Sequence, residues 1–322
     1  MKIVVTETEV MDGEVKRMLS TLGHVAWGPF RHDELERALA DCEVLMVRLG
    51  RHIGPALIAR APRLRYIVTA TTGLDHIDLA AAEAAGVRVV SLRDCPEAIR
   101  DVSATAEHTI GLLLALLRRT PAAVDHVLAG GWDRGRYWGI QLRGKRCGII
   151  GYGRIGAMVA QCAAAFGMDV VAYDRAPDKI RSPAKVVGFE ELLESCDVIS
   201  VHVTAAPENR HLLDRPAVQR LKRGAVLVNT ARGAIVDEAA LADAVAAGRL
   251  FGIATDVLDG EERGNLQSNP LLACARAGHN VLITPHIGGA TREAIRQTEG
   301  AVVRHLAILL GASSPSLRLE FD

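Results

Sequence analysis

The chain has 322 residues, 49% of them hydrophobic, and its 38 Lys+Arg are balanced by 38 Asp+Glu. That length suits two domains with substantial cores, and the even charge leaves no global field to draw in nucleic acid or an anionic membrane surface. Six cysteines (42, 95, 147, 162, 196 and 274) include no C-x-x-C pair, which predicts reduced thiols in a cytoplasm rather than a disulfide framework. An acid arrives at Glu7, too soon for a secretory signal, and the longest strongly apolar run, 110–117, is too short to span a bilayer.

Short β-rich runs alternate with Ala/Leu/Glu-rich stretches along the whole chain. A strand at 2–6 comes first, then a helix at 33–40, a strand at 44–47, a helix at 55–60, and strands at 66–69 and 88–91. A long helix is predicted at 101–119, opening at Asp101, which can cap it. Strands follow at 146–150, 170–173, 198–203, 225–229, 252–257 and 281–284, with helices at 157–166, 189–195, 215–220 and 238–247 between them. A last helix covers 291–310, and the tail after Gly311 (Ala-Ser-Ser-Pro-Ser) reads as loose. The alternation predicts an α/β fold with parallel sheets and helices on both faces.

The stretch 144–174 carries the strongest chemical signal. An apolar strand runs into Gly151-Tyr-Gly153-Arg154-Ile155-Gly156, an amphipathic stretch follows, and a second strand ends at Asp174. The first glycine permits a sharp turn, the second lets backbone N–H groups approach a pyrophosphate, and the third lets helix pack on strand. The helix N-terminus offers unpaired N–H groups to the phosphates. Asp174 lies 174 − 156 = 18 positions past the last glycine, near the expected distance of about 20. A carboxylate there accepts from both ribose hydroxyls and repels a 2′-phosphate, favouring NAD over NADP. A plain βα turn, or a methyltransferase's adenosyl site, would share the glycine turn. Because the turn lies mid-chain with four strand signals ahead of it, the expected division is a substrate domain of 1–100 plus 291–322 around an inserted NAD-binding Rossmann domain of 101–290.

Three polar positions follow strands in the second half, where ligands meet open α/β sheets. They are Arg232 in Asn229-Thr230-Ala231-Arg232-Gly233, the carboxylates of Asp256-Val-Leu-Asp-Gly-Glu261, and His286 in Thr284-Pro-His286-Ile-Gly288-Gly289. Arg, Glu and His beside a nicotinamide suit hydride transfer at a carbon next to a carboxylate. Arg232 would grip the carboxylate through two parallel N–H bonds. His286 would exchange the hydroxyl proton, and Glu261 would hold the other ring nitrogen and fix the tautomer. Taken singly, Arg232 could cap a turn and His286 could be a structural histidine. His76, His108, His202 and His279 lack a comparable setting, although His202 could line the cofactor cleft. No metal cluster is apparent: Cys274 and His279 have no second pair. The stripe 110–117 reads as core or dimer interface.

Together, Thr72-Gly73-Leu74-Asp-His-Ile-Asp78, Ser103-Ala-Thr-Ala-Glu-His-Thr109, the glycine turn, Asn229 to Glu238, Asp256 to Glu261 and Thr284 to Gly289 carry a resemblance. Over nearly its whole length the chain resembles the D-isomer-specific 2-hydroxyacid dehydrogenases, phosphoglycerate dehydrogenases among them. The resemblance implies a flavodoxin-like substrate domain with the inserted Rossmann domain, NAD as cofactor, and catalytic Arg232, Glu261 and His286. It implies cofactor contacts from Thr72, Gly151, Gly153, Arg154, Ile155, Gly156, Asp174, Val203, Thr230, Ala231, Asp256, Gly288 and Gly289. The substrate carboxylate would also meet backbone N–H groups around Thr71, Gly73 and Leu74. A cytoplasmic homodimer through the NAD domains, often using the helix near 101–119, is implied as well.

Two features depart from the family pattern. Pro usually follows the catalytic Glu, whereas Glu262 and Arg263 follow Glu261 here, and the 262–270 stretch is longer than usual. The offset from Asp256 favours Glu261 over Glu262. Arg48 stands where phosphoglycerate dehydrogenases of this family carry a phosphate-binding Arg. With Arg51 it would hold a distal phosphate or carboxylate; the alternative is a solvated loop with two exposed guanidiniums. The expected activity is therefore hydride transfer between NAD and C2 of a D-2-hydroxy acid or 2-oxoacid, 3-phosphoglycerate-like substrates first, then glycerate, hydroxypyruvate or glyoxylate. An NAD-sensing scaffold and the phosphite- or formate-oxidising relatives are the competing readings. The chain is also expected to end short of the regulatory C-terminal domains of longer phosphoglycerate dehydrogenases.

Overall fold

The structure, a computed structural model, describes residues 1–9, 11–264 and 266–312. The chain forms two compact units: Met1–Val102 with the chain from Ala290 onward, and Ser103–Gly289.

The first unit opens with β1 (Lys2–Val5), α1 (Gly13–Leu22), β2 (His24–Trp27), α2 (His32–Leu39) and β3 (Val44–Val47). It continues through α3 (Pro55–Ala59), β4 (Tyr66–Thr69), α4 (Leu79–Ala84) and β5 (Arg88–Val90). The strands form one parallel sheet in the order β2-β1-β3-β4-β5, which is the flavodoxin-like order. Its inner strands are unbroken apolar runs because helices cover both faces. The Asp12 side chain caps α1 by accepting from the Glu14 N–H, and Val15, Met18 and Leu19 then fall on one buried face.

The second unit begins with α5 (Ala104–Leu117), α6 (Thr120–Leu128), β6 (Arg146–Ile150), α7 (Arg154–Ala165), β7 (Asp169–Tyr173) and β8 (Lys185–Val186). It continues with α8 (Phe189–Ser195), β9 (Val198–Val201), α9 (Arg215–Arg220), β10 (Val226–Asn229), α10 (Glu238–Ala246) and β11 (Gly252–Thr255). α11 (Pro270–Arg276) and β12 (Val281–Ile283) close it, and α12 (Arg292–Leu309) belongs again to the first unit. The seven strands are all parallel in the order β12-β11-β10-β9-β6-β7-β8. Counted from β6, that is the doubly wound dinucleotide order with one strand added at an edge, and its direction of winding reverses between β6 and β9. In the first unit Val302, Val303 and Leu306 of α12 pack with Ile3, Val44 and Val68 of the sheet.

Several expectations need correction. The long helix does not start at an Asp101 cap. A 3-10 turn at Pro96–Ile99 occupies the preceding chain, Val102 N–H bonds back to Ile99 O at 3.2 Å, and the helix opens after Ser103. It ends at Leu117 because Arg119 enters the left-handed region (φ 51). Leu112, Leu113, Leu116 and Leu117 lie in the core of the second unit, one of the two roles open to the apolar stripe. Five strands, not four, precede the glycine turn, because β2 is an additional short edge strand. α7 starts at Arg154 rather than 157, directly on the turn. The 262–270 stretch contains a 3-10 turn at Glu261–Arg263, with position 265 outside the described residues; the loose-tail reading lies, from 313 on, outside them too.

Candidate active site

The glycine turn follows β6 at the reversal point of the seven-stranded sheet. Gly151 has φ +93, and a Cβ there would come within 2.8 Å of the His202 carbonyl and the Val203 Cγ1. A Cβ on Gly156 would sit 2.1 Å from the Gly151 carbonyl oxygen, so only glycine lets the helix start this close to the strand end. Gly153, the N-cap of α7, faces open space. Its helix has no side-chain cap, which leaves the first-turn N–H groups to an anion. The Asp174 carboxylate accepts from the Tyr152 N–H and the Ala176 N–H, each at 2.8 Å, which fixes it beside the turn. These features fit a dinucleotide: a cradle without side chains for the phosphates and a fixed carboxylate for the ribose. Beyond β9, Val203 packs next to Gly151. Burial pushes the His202 imidazole down to about 3, so the ring is neutral, and it bonds Ser200 Oγ at 2.7 Å.

The three polar groups come from the carboxyl ends of adjacent strands. In register, Asn229 of β10 lies opposite Thr255 of β11, and Thr255 lies opposite Ile283 of β12. After β10 the buried Asn229 side chain shapes the next turn: its Nδ2 donates to the Arg232 carbonyl (2.9 Å) and its Oδ1 accepts from the Ala231 N–H (3.0 Å). Thr230 Oγ1 is bonded to Thr109 Oγ1 of α5 at 2.8 Å. Arg232 Nη1 donates to the Ala231 carbonyl at 2.7 Å. Gly233 then packs against the loop after β11, where a Cβ would lie 2.0 Å from the Asp259 nitrogen. The Arg232 turn and the Glu261 loop therefore touch through backbone.

Glu261 Oε1 is hydrogen-bonded to His286 Nδ1, and its Oε2 accepts from the Leu258 N–H at 2.9 Å. The carboxylate that meets the imidazole is thus Glu261, not Glu262. His286 has φ 53, a left-handed conformation that costs a non-glycine residue on the order of 1–3 kcal/mol. Its N–H donates to the Asp256 carbonyl at 2.8 Å. The Asp256 carboxylate, 2% exposed, accounts for the rest of the loop: Oδ1 accepts from Thr284 Oγ1 (2.6 Å) and the Ile287 N–H (2.9 Å), and Oδ2 from the Gly288 N–H (2.7 Å). A Cβ on Gly288 would lie 2.9 Å from that same Oδ2, so a larger residue there would have to displace the carboxylate. Gly289 faces open space. Asp256, expected to touch cofactor, has its described bonds to the loop that presents His286.

Some residues here were given no role by sequence. His108 Nε2 lies 3.0 Å from Thr284 Oγ1 and 3.3 Å from Asp256 Oδ1, within the same network. Its signal lay in the Ser103–Thr109 motif. Glu238 is buried; it accepts from the Asp259 N–H (3.0 Å) and Asn269 Nδ2 (2.6 Å), tying down the loop that carries Glu261. Burial raises its carboxyl above the ordinary 4.5, against the bonds from Asp259 and Asn269, which lower it.

In the first unit, Thr71 Oγ1 donates to the Gly73 carbonyl (2.7 Å) and Arg93 Nε to the Thr72 carbonyl (2.8 Å), which hold the 71–74 loop after β4. Arg48 is neither solvated nor open to a ligand on all sides: Nε and Nη2 both donate to Glu299 Oε1 of α12, the former at 2.7 Å. Among the described residues, no group of three or more His, Cys, Asp or Glu is placed to hold a metal, and no helix is long and apolar enough to cross a membrane.

Residues 110–288 match the NAD binding domain of the D-isomer specific 2-hydroxyacid dehydrogenases, and the chain belongs to that family. It is 38% identical over 275 residues to a D-3-phosphoglycerate dehydrogenase of Mycobacterium bovis, covering 84% of this chain and 50% of that protein. The chain thus spans about half the length of such relatives. A hydroxypyruvate reductase of Thermotoga maritima is 34% identical over 279 residues, covering 87% of this chain and 88% of the relative. The crystal structure of an Aquifex aeolicus D-lactate dehydrogenase, complexed with NAD and lactic acid, matches with a TM-score of 0.82 at 28% identity, over 97% of this chain and 96% of that one.

Proposed function

We propose that the chain is an NAD-dependent oxidoreductase that interconverts a D-2-hydroxy acid and its 2-oxoacid. The observation that carries this reading is the His286–Glu261 pair on loops from adjacent strands, with the Arg232 turn packed against the same Glu261 loop. In this reading, residues 1–100 plus 291–322 form the substrate domain and 101–290 the NAD domain.

NAD, when bound, supplies the hydride acceptor or donor for C2. The glycine turn and the α7 N-terminus hold the pyrophosphate, and Asp174 accepts from the ribose hydroxyls and disfavours a 2′-phosphate. Arg232 grips the substrate carboxylate as a fork, and the backbone N–H groups at Thr71 to Leu74 are a further proposed carboxylate contact. On reduction of the oxoacid, His286 Nε2 gives a proton to the carbonyl oxygen while C2 accepts the hydride; on oxidation it takes the hydroxyl proton. Glu261 at Nδ1 holds the ring orientation and stabilises the imidazolium, which a polar group in a drier site does more strongly than in water. The intact Arg–Glu–His set is what favours an enzyme over an NAD-sensing scaffold.

A homodimer through the NAD domain fits the surface of that unit. α6 has no buried residue, and it leads into Trp132 and Trp138, which are 90% and 81% exposed; Leu128 is 81% exposed. Such a patch on one chain is the kind that a second copy covers. Six free thiols and the absence of disulfides among the described residues support a cytoplasmic setting.

The test is NADH absorbance followed with a panel of 2-oxoacids, phosphite with NAD, and formate with NAD. Oxidation of NADH by one or more 2-oxoacids is expected. Turnover of only phosphite or formate, or of nothing, would overturn the assignment.

A further inference from the structure

The carboxyl edge of the first unit's sheet holds a charge arrangement that bears on substrate class. β3 and β4 are in parallel register with Val47 opposite Thr69. Arg48 is the next residue on one strand, and the 71–74 loop begins two residues on along the other. A substrate whose carboxylate meets the 71–74 N–H groups therefore has the Arg48 edge beside it, within reach of its other end. The guanidinium there is engaged. Its Nε and Nη2 both lie on Glu299 Oε1, and Glu299 is 1% exposed. The second carboxylate oxygen, Oε2, has no hydrogen-bond partner among the described residues, so Arg48 is the counter-charge this buried group depends on.

A second acid reinforces the arrangement. The Glu7 carboxylate, at the end of β1, accepts from the Arg48 N–H at 2.6 Å and the Gly50 N–H at 2.8 Å. Moving Arg48 onto a phosphate would leave Glu299 as an uncompensated buried charge, a change that is strongly destabilising. Two carboxylates at the same edge would also repel a dianion.

Building on the dehydrogenase reading above, we propose that Glu299, by holding Arg48, sets the substrate class: short 2-oxoacids with an uncharged tail, such as a hydroxymethyl group, rather than phosphorylated ones. Glu299 acts here as a specificity-determining residue through Arg48 and does not touch the reacting atoms. Arg51 is the other cation of the loop, and its contribution is an outcome of the test.

The experiment compares kcat/KM for hydroxypyruvate and phosphohydroxypyruvate with NADH at alkaline pH, in the wild type and in Glu299→Gln. The wild type should favour hydroxypyruvate by at least tenfold. Glu299→Gln, which keeps the shape and removes the charge, should raise the phosphohydroxypyruvate-to-hydroxypyruvate ratio at least tenfold, through KM rather than kcat. A wild-type preference for the phosphorylated acid, needing no variant, would show that Arg51 or another cation holds a phosphate and would overturn the proposal. A folded Glu299→Gln with an unchanged ratio would overturn the role of Glu299. No NADH oxidation with either acid, nor with any other 2-oxoacid, would overturn the dehydrogenase reading and this proposal with it.

Discussion

At the scale of single residues, the site depends on side chains whose chemistry a near relative cannot replace. Arg232→Lys leaves a point charge where a fork is needed, so the substrate KM is expected to rise on the order of tenfold or more; near-normal KM in steady-state kinetics would refute the assigned grip. His286→Asn should lower kcat by about 10² or more while NADH still binds, as read by fluorescence titration. Undiminished turnover would mean that another group moves the proton. Glu299 makes a different kind of prediction. Burial raises its carboxyl above 4.5, and Arg48 opposes that rise. A carboxyl with a raised folded-state pKa contributes its full stability below the unfolded value and loses it as pH climbs through the folded one. The Tm of the wild type minus that of Glu299→Gln should therefore fall as pH rises from about 4. A difference that stays flat across that range would show that Glu299 titrates as it does in the unfolded chain.

At the scale of elements, loops from neighbouring strands are fitted to one another backbone to backbone. The clearest instance is Gly233, where a Cβ would meet the Asp259 nitrogen at 2.0 Å and the Leu258 carbonyl carbon at 2.1 Å. Gly233→Ala should push the Arg232 turn and the Glu261 loop apart and lower kcat/KM on the order of 10², since small misplacements of positioning groups are costly. An alanine variant with wild-type kinetics would show that the two loops need not touch. Most elements were legible in the sequence, because buried parallel strands read as apolar runs and Asp237 or Thr291 mark helix starts. Those that were missed fall into two kinds. α1, α4 and α11 carried readable signals: an Asp12 cap with a 3.6-residue apolar period, an Asp78 cap, and an Asn269-Pro270 start. β2 and β8 are short edge strands with little buried surface, and α6 buries nothing, so no periodic pattern marks them.

At the scale of the whole molecule, the exposed apolar surface of α6 and its following loop predicts self-association. The wild type is expected to elute as a dimer by light scattering, and Trp132→Ala with Trp138→Ala should shift it toward monomer at micromolar concentration with the fold retained by circular dichroism. A monomeric wild type would remove the dimer from the proposed function. The sequence left the apolar stripe of the longer helix before it as core or interface, and the family resemblance implied a dimer that uses that helix. That helix is apolar because it lies against β10 and β11 in its own unit's core, and a core stripe and an interface stripe have the same composition.

The amino-acid order by itself determined the two parallel-sheet units and the glycine turn, and pointed to Arg232, Glu261 and His286 as the candidate site, because each depends on local periodicity or on a motif at a strand end. Tertiary structure alone decided that Asp256 and His108 brace the His286 loop, and that Arg48 is held by Glu299, 251 positions away. Pairings of that kind arise from chain segments that meet only when the sheets and helices are packed, and no local pattern encodes a partner so distant along the chain.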